Sequence, residues 1–159
     1  MGKERPGWLP DTVLLTDYAG NCLDYVEAIY KVFHRDFIES KPFFRGLQVK
    51  CRRDPLSEGK EAAFWHCIQE GAEEAERTPD LRRCERIGWV RAVIENSEDP
   101  RIKVWQTRRK RDQRFCLWYD EEYLVVLGKR RDYYQLITAY VTDRNHTRRK
   151  LRKDFGRNS

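Results

Sequence analysis

The amino-acid sequence predicts an α+β domain: N-terminal helices packed on a four-stranded antiparallel sheet. Three observations carry that expectation. Two stretches in the first hundred residues place apolar side chains at helical spacing. After position 101, four short runs rich in β-branched and aromatic residues follow one another, joined by charged turns too short for parallel crossovers. The 159 residues, 40% hydrophobic and 36% charged, suffice for one core without disulfide or metal support.

Residues 16–39 read as the first helix. Thr16 or Asp17 caps it, Leu23, Val26, Tyr30, Phe33 and Phe37 recur at helical spacing, and Pro42 stops it. Residues 43–51 read as a short strand, and "RRDPLSEGK" as turns. Residues 64–68 are expected to be extended, because Phe, Trp and Ile suit a strand. Residues 78–96 form the clearest helix, with Thr78 as N-cap, Pro79 at the first helical position and Asp80 complementing the dipole. Its stripe is Leu81, Cys84, Ile87, Val90 and Ile94. Strands follow at 102–107, 114–119, 123–127 and 133–142, and Asp143 caps a short terminal helix. This gives a helical segment at 1–42, a main domain at 43–153 and a tail at 154–159.

Charge is unevenly placed. "RIKVWQTRRKRDQR" holds seven basic residues and one acidic, and residues 142–159 hold seven and two, whereas "EGAEEAE" is acidic. Two basic clusters around aromatic strands favour a polyanionic partner, with nucleic acid first; a solvated charged surface is the plainer alternative. No apolar run reaches the ~20 residues that span a bilayer. The five cysteines are widely spaced, which suits reduced thiols in a cytoplasmic protein better than a disulfide framework or a zinc site. A nucleophilic Cys67 beside His66 is the weaker reading.

Alternation sorts the strands into faces. Ile102, Val104, Phe115, Leu117, Ile137, Ala139 and Val141 suit packing beneath helices. If registers align, Lys103, Trp105, Arg114, Trp118, Tyr134, Thr138 and Tyr140 share the other face, where rings would stack on bases and cations meet phosphates of single-stranded RNA. For Trp105 and Trp118 taken separately, core packing against the helices or the N-terminal segment is the favoured reading.

The stretches "GKEAAFWHCI", "RRCERIGWV" and "YLVVLGKRRDYYQLITAYVTDRNHTRRKLRK" together resemble the phage-associated branch of the barnase/EndoU/colicin/RelE-like ribonuclease superfamily, over roughly residues 44–153. The resemblance implies a barnase/RelE-like fold and metal-independent RNA cleavage without a cofactor, in a toxin or a phage or mobile-element effector. Its partners would be RNA and an inhibitory or immunity protein. The first 40 residues lie outside it.

Such cleavage uses the substrate's 2′-hydroxyl as nucleophile, so the protein must move protons and stabilise phosphorane-like charge. His66, in the matching motif, is the expected proton-transfer group. Arg83 and Arg86 share a helical face and would clamp the phosphate, while Thr138 and Tyr140 would present hydroxyls. Lys60, Trp65, Lys103, Arg109, Arg111, Arg114, Trp118 and Tyr134 are the expected substrate-binding residues. His66 also reads as a half-buried ring bonded to a carbonyl, and either arginine as a structural ion-pair partner. Two further function classes stay open: a non-catalytic RNA-binding module on the same sheet face, and an interaction protein whose basic tail docks an acidic partner.

Overall fold

A computed structural model describes residues 4–70 and 78–158; most of the acidic stretch "EGAEEAE" lies outside them. The elements are α1 (Cys22–Phe33), β1 (Phe43–Phe44), β2 (Leu47–Cys51), α2 (Ala62–Ile68), β3 (Gln69–Glu70), β4 (Thr78–Pro79), α3 (Leu81–Glu85), α4 (Trp89–Glu95), β5 (Ile102–Arg109), β6 (Asp112–Tyr119), β7 (Tyr123–Lys129), β8 (Tyr134–Val141) and α5 (Asn145–Asn158).

The sheet corrects the expected architecture. It has six strands in the order β1-β2-β8-β7-β6-β5, and β2 runs parallel to β8, so it is mixed and not a four-stranded antiparallel sheet. The β5–β8 meander was legible because its strands are rich in β-branched and aromatic residues and each turn is short. The β2 pairing joins Val49–Cys51 to Tyr134–Leu136 across more than eighty residues, and nothing local signals it. Helices are also not gathered at the N-terminal end: α5 closes the chain and covers the sheet's second face.

The helices differ in detail. Before α1, Leu15–Tyr18 form a 3₁₀ turn, Ala19 and Gly20 take positive φ, and Asn21 caps α1 by accepting a hydrogen bond from the Asp24 amide. The helix continues as a π-helical turn over His34–Glu39. The buried stripe is Tyr25, Ile29, Phe33 and Phe37, while Leu23 is 80% exposed. Residues 64–68 are helical: Ala63, Phe64, Cys67 and Ile68 all point inward, and adding Ala62 and Ala63 to the short run reveals that i, i+4 pattern. The expected helix over 78–96 breaks into α3 and α4. Residues 78–79 pair with β3, Asp80 does the capping, and Leu81 is 47% exposed. At the break, an added Cβ on Gly88 would lie 3.2 Å from Pro10, so the N-terminal segment crosses there at close range.

One large core lies between the helices and the sheet, drawing Leu9, Phe33, Phe64, Trp89, Tyr123 and Leu136 from both sides of position 42. The opposite face of the sheet holds a second cluster of Trp105, Cys116, Trp118, Leu124 and Val126, roofed by Leu151 and Phe155 of α5. A β-bulge divides β8 between these faces. Val126 pairs with Thr138 but Leu127 with Leu136, so Ile137 is the extra residue and side-chain parity flips there. Among the described residues, no helix is long and apolar enough to cross a membrane.

Candidate functional site

The residues expected on one sheet face separate. Register does align Lys103 with Trp118 and Trp105 with Cys116, and it puts Thr138 and Tyr140 on the same face, opposite Val126 and Leu124. Tyr134 lies beyond the bulge on the other face. It is buried in the main core with Phe44 and Phe115 edge-on to its ring, away from the face on which it was expected.

The aromatic platform is roofed. Trp105 and Trp118 are 2% and 0% exposed. Trp118 donates to Thr142 Oγ1 at 2.8 Å, and Trp105 donates to Asp154 of α5 at 2.7 Å while Phe155 meets its ring edge-on. Lys103 binds Glu121 at 2.9 Å and lies over both Trp118 and Phe155. These rings are core, not exposed stacking surfaces.

Glu121 anchors the roof. It sits in the tight β6–β7 turn, where Asp120 and Glu121 both take positive φ although neither is glycine. Its carboxylate accepts from Arg152 and Lys103, and its carbonyl accepts from Arg148 and Thr142. The Arg152 hydrogen bonds foremost, then Lys103, hold its carboxyl down at about 2.

The five proposed catalytic residues come only partly together. His66 is half-buried on α2, in a hollow of about 540 Å³ shared with Arg52, Ser57, Glu58, Trp65 and Gln69. Trp65 donates to the Ser57 carbonyl at 3.1 Å and lines this hollow. Three residues after His66, the Gln69 carbonyl accepts a hydrogen bond from Arg83, whose guanidinium also faces Asp80 at 3.6 Å and lies 5.5 Å from the centre of the Tyr140 ring. Burial raises the Tyr140 phenol above its ordinary range, with Cys116 adding to the shift and Arg83 opposing it, so the hydroxyl keeps its proton at neutral pH.

Arg86 turns elsewhere. It binds the Arg82 carbonyl, pairs with Glu85 and Glu122, and stacks over Trp89. Both guanidiniums nevertheless act on Tyr123, whose buried hydroxyl is lifted well above its ordinary range by desolvation. Among the described residues, Arg83 Nε, Arg86 Nε and Tyr123 Oη are the buried side-chain polar atoms without a hydrogen-bond partner.

Of the expected binding residues, Lys60 is buried, paired to Glu27 and set over Tyr30, a structural role for which its lone position in a turn gave no warning. Arg111 is exposed at the tip of the β5–β6 hairpin. Arg109 and Arg114 face a cleft of about 680 Å³ between that hairpin and α5, and Tyr140 lines it too. Arg114 is tied there to Asp112 at 2.8 Å. The α5 cations in this cleft were missed individually. Their signal was the Leu151–Phe155 spacing, which marks one face of the basic tail as seated and leaves Lys150 and Lys153 beside it.

Among the described residues, no cluster of three or more His, Cys, Asp or Glu is arranged to hold a metal ion. Comparison with known proteins finds no family model, no curated protein and no solved structure that matches this chain.

Proposed function

We propose that the protein is an RNA endonuclease that cleaves by attack of the substrate's own 2′-hydroxyl. His66 exchanges the proton, Arg83 holds the phosphate charge, and Tyr140 donates a hydrogen bond from a phenol that stays protonated. One observation carries the reading: three stretches distant in sequence meet through Gln69, Arg83 and Tyr140, one turn beyond His66. In the reaction the 2′-oxygen bonds to phosphorus, the 5′-oxygen departs with a proton, and a 2′,3′-cyclic phosphate remains. Proton transfer of this kind is worth about 10²–10⁴ in rate. His66→Ala is therefore expected to lose roughly a hundredfold or more of RNA-cutting rate, and Arg83→Ala, which removes the charge-stabilising donor, about 10²–10³, while both keep the wild-type circular dichroism. Undiminished cutting by either variant contradicts its role.

The second reading is RNA binding without cleavage. The cleft between α5 and the β5–β6 hairpin favours it, because its cations are available although the aromatic platform is covered. A folded wild type that retains RNA and leaves it intact selects this reading.

A further inference from the structure

We infer that the cleft between α5 and the β5–β6 hairpin is the track for a single-stranded segment of RNA, with bases on its floor and phosphates along both rims. The inference rests on RNA being the partner, and it specifies where that RNA lies.

The two rims are basic and come from different elements. Arg108 and Arg109 stand on the hairpin side. Lys150, Lys153 and Arg157 stand on α5 at i, i+3 and i+7, one helical face with about 10 Å between its ends at 1.5 Å rise per residue. None of these five has a carboxylate partner among the described residues, whereas most other arginines of the fold are paired. The cleft's carboxylate, Asp154, is already engaged: it accepts from Trp105 and from Asn158. Asp154 keeps its negative charge, but the five cations outnumber it, so net positive potential focuses into the concave site.

The floor is different in kind. Cys116, Leu124 and Val126 lie at its base, each at most 8% exposed, and the half-buried Tyr140 ring borders it as the aromatic surface within reach. An accessible aromatic ring, Tyr140, between two cationic rims suits a splayed base with its backbone on either side, and not a duplex, whose base faces are stacked away. A bare polyphosphate would gain nothing from the floor. The volume, about 680 Å³, is that of a pocket able to enclose a small planar group. Tyr140 also links the track to the proposed catalytic group: Arg83 does not line the cleft but lies 5.5 Å from the centre of the Tyr140 ring that does.

The test is fluorescence anisotropy with the whole chain and a fluorescein-labelled 12-nucleotide mixed-sequence RNA carrying 2′-O-methyl groups, so that the proposed 2′-hydroxyl attack cannot consume it, in EDTA. A duplex of the same length and inorganic polyphosphate serve as competitors. Lys150→Glu/Lys153→Glu on one rim and Arg109→Glu on the other each alter exposed side chains. Both are expected to weaken single-strand binding at least tenfold and to flatten the dependence of log K on log salt by about 0.7 for every phosphate no longer neutralised. Arg131→Glu, an exposed cation in the β7–β8 turn, is expected to change affinity less than twofold. Equal losses in all three variants, or competition by duplex or polyphosphate as strong as by single strand, overturns the cleft as the track. The nuclease reading fails separately. Wild type that binds through the cleft but never cuts unmodified RNA refutes catalysis alone, and cutting of unmodified RNA by wild type with unchanged binding in both rim variants refutes the track alone.

Discussion

Thr142 offers the sharpest stability test of how the second face of the sheet is built. Its side chain is fully buried; Oγ1 accepts from Trp118 Nε1 at 2.8 Å and donates to the Glu121 carbonyl at 3.0 Å. Thr142→Val keeps shape and volume but orphans a buried indole N–H and releases the strained turn that anchors α5. Leaving a buried donor unsatisfied costs about 1–3 kcal/mol. For a chain of this size, a loss of about 2 kcal/mol lowers Tm by roughly 4–8 °C. Urea unfolding followed by tryptophan fluorescence gives the free energy, and the same substitution in a Trp118→Phe background isolates the pair. There the donor is already gone, so Thr142→Val is expected to cost about 0.5–2 kcal/mol less than in wild type. A cost within about 0.5 kcal/mol of zero in wild type, or strict additivity in the double variant, refutes the buried Trp118–Thr142 link.

Two further outcomes follow from ionisable groups. Cys22 is exposed, Cys51 is half-buried with its thiol pushed up to about 11 by desolvation, and burial lifts Cys67, Cys84 and Cys116 to about 12. Ellman titration of native protein at neutral pH is expected to show one fast thiol, removed by Cys22→Ser, and all five only after denaturation; a fast Cys67 would restore the cysteine-nucleophile reading. Glu121 has a carboxyl held down at about 2 against an ordinary 4.5, so its stabilisation is complete above about pH 4.5 and is lost as pH falls toward 2. Glu121→Gln is expected to be less stable at neutral pH and to flatten the acid limb of the stability profile between those values. An unchanged acid limb would place the acid sensitivity elsewhere.

The extent to which the sequence foretold this fold follows from the range over which each signal acts. The strands β5 to β8 were legible because β-branched and aromatic runs and short turns are local signals. The faces of β5 and β6 were also correct, since no irregularity interrupts them. Tyr134 was misplaced because a single extra residue, Ile137, reverses parity, and a bulge leaves no mark in an Ile-Thr-Ala-Tyr run. Residues 64–68 failed because five residues are too few to separate a period of 3.6 from one of 2. Core packing was the favoured reading for Trp105 and Trp118 separately; what was not foreseen is that α5 covers them, because that helix is strongly basic and its two apolar anchors, Leu151 and Phe155, are outnumbered by its charges. His66 and Arg83 were named from motifs; that Arg83 reaches Tyr140, beyond the point where β2 stops pairing with β8, is a tertiary fact.

The central claim is tested most directly by incubating purified wild type and His66→Ala with end-labelled mixed-sequence RNA in excess EDTA and analysing the product ends. Wild type is expected to cut and to leave 2′,3′-cyclic phosphates, and the variant to cut at least a hundredfold more slowly. Intact RNA with the wild type, or cutting that His66→Ala leaves unchanged, would contradict that claim.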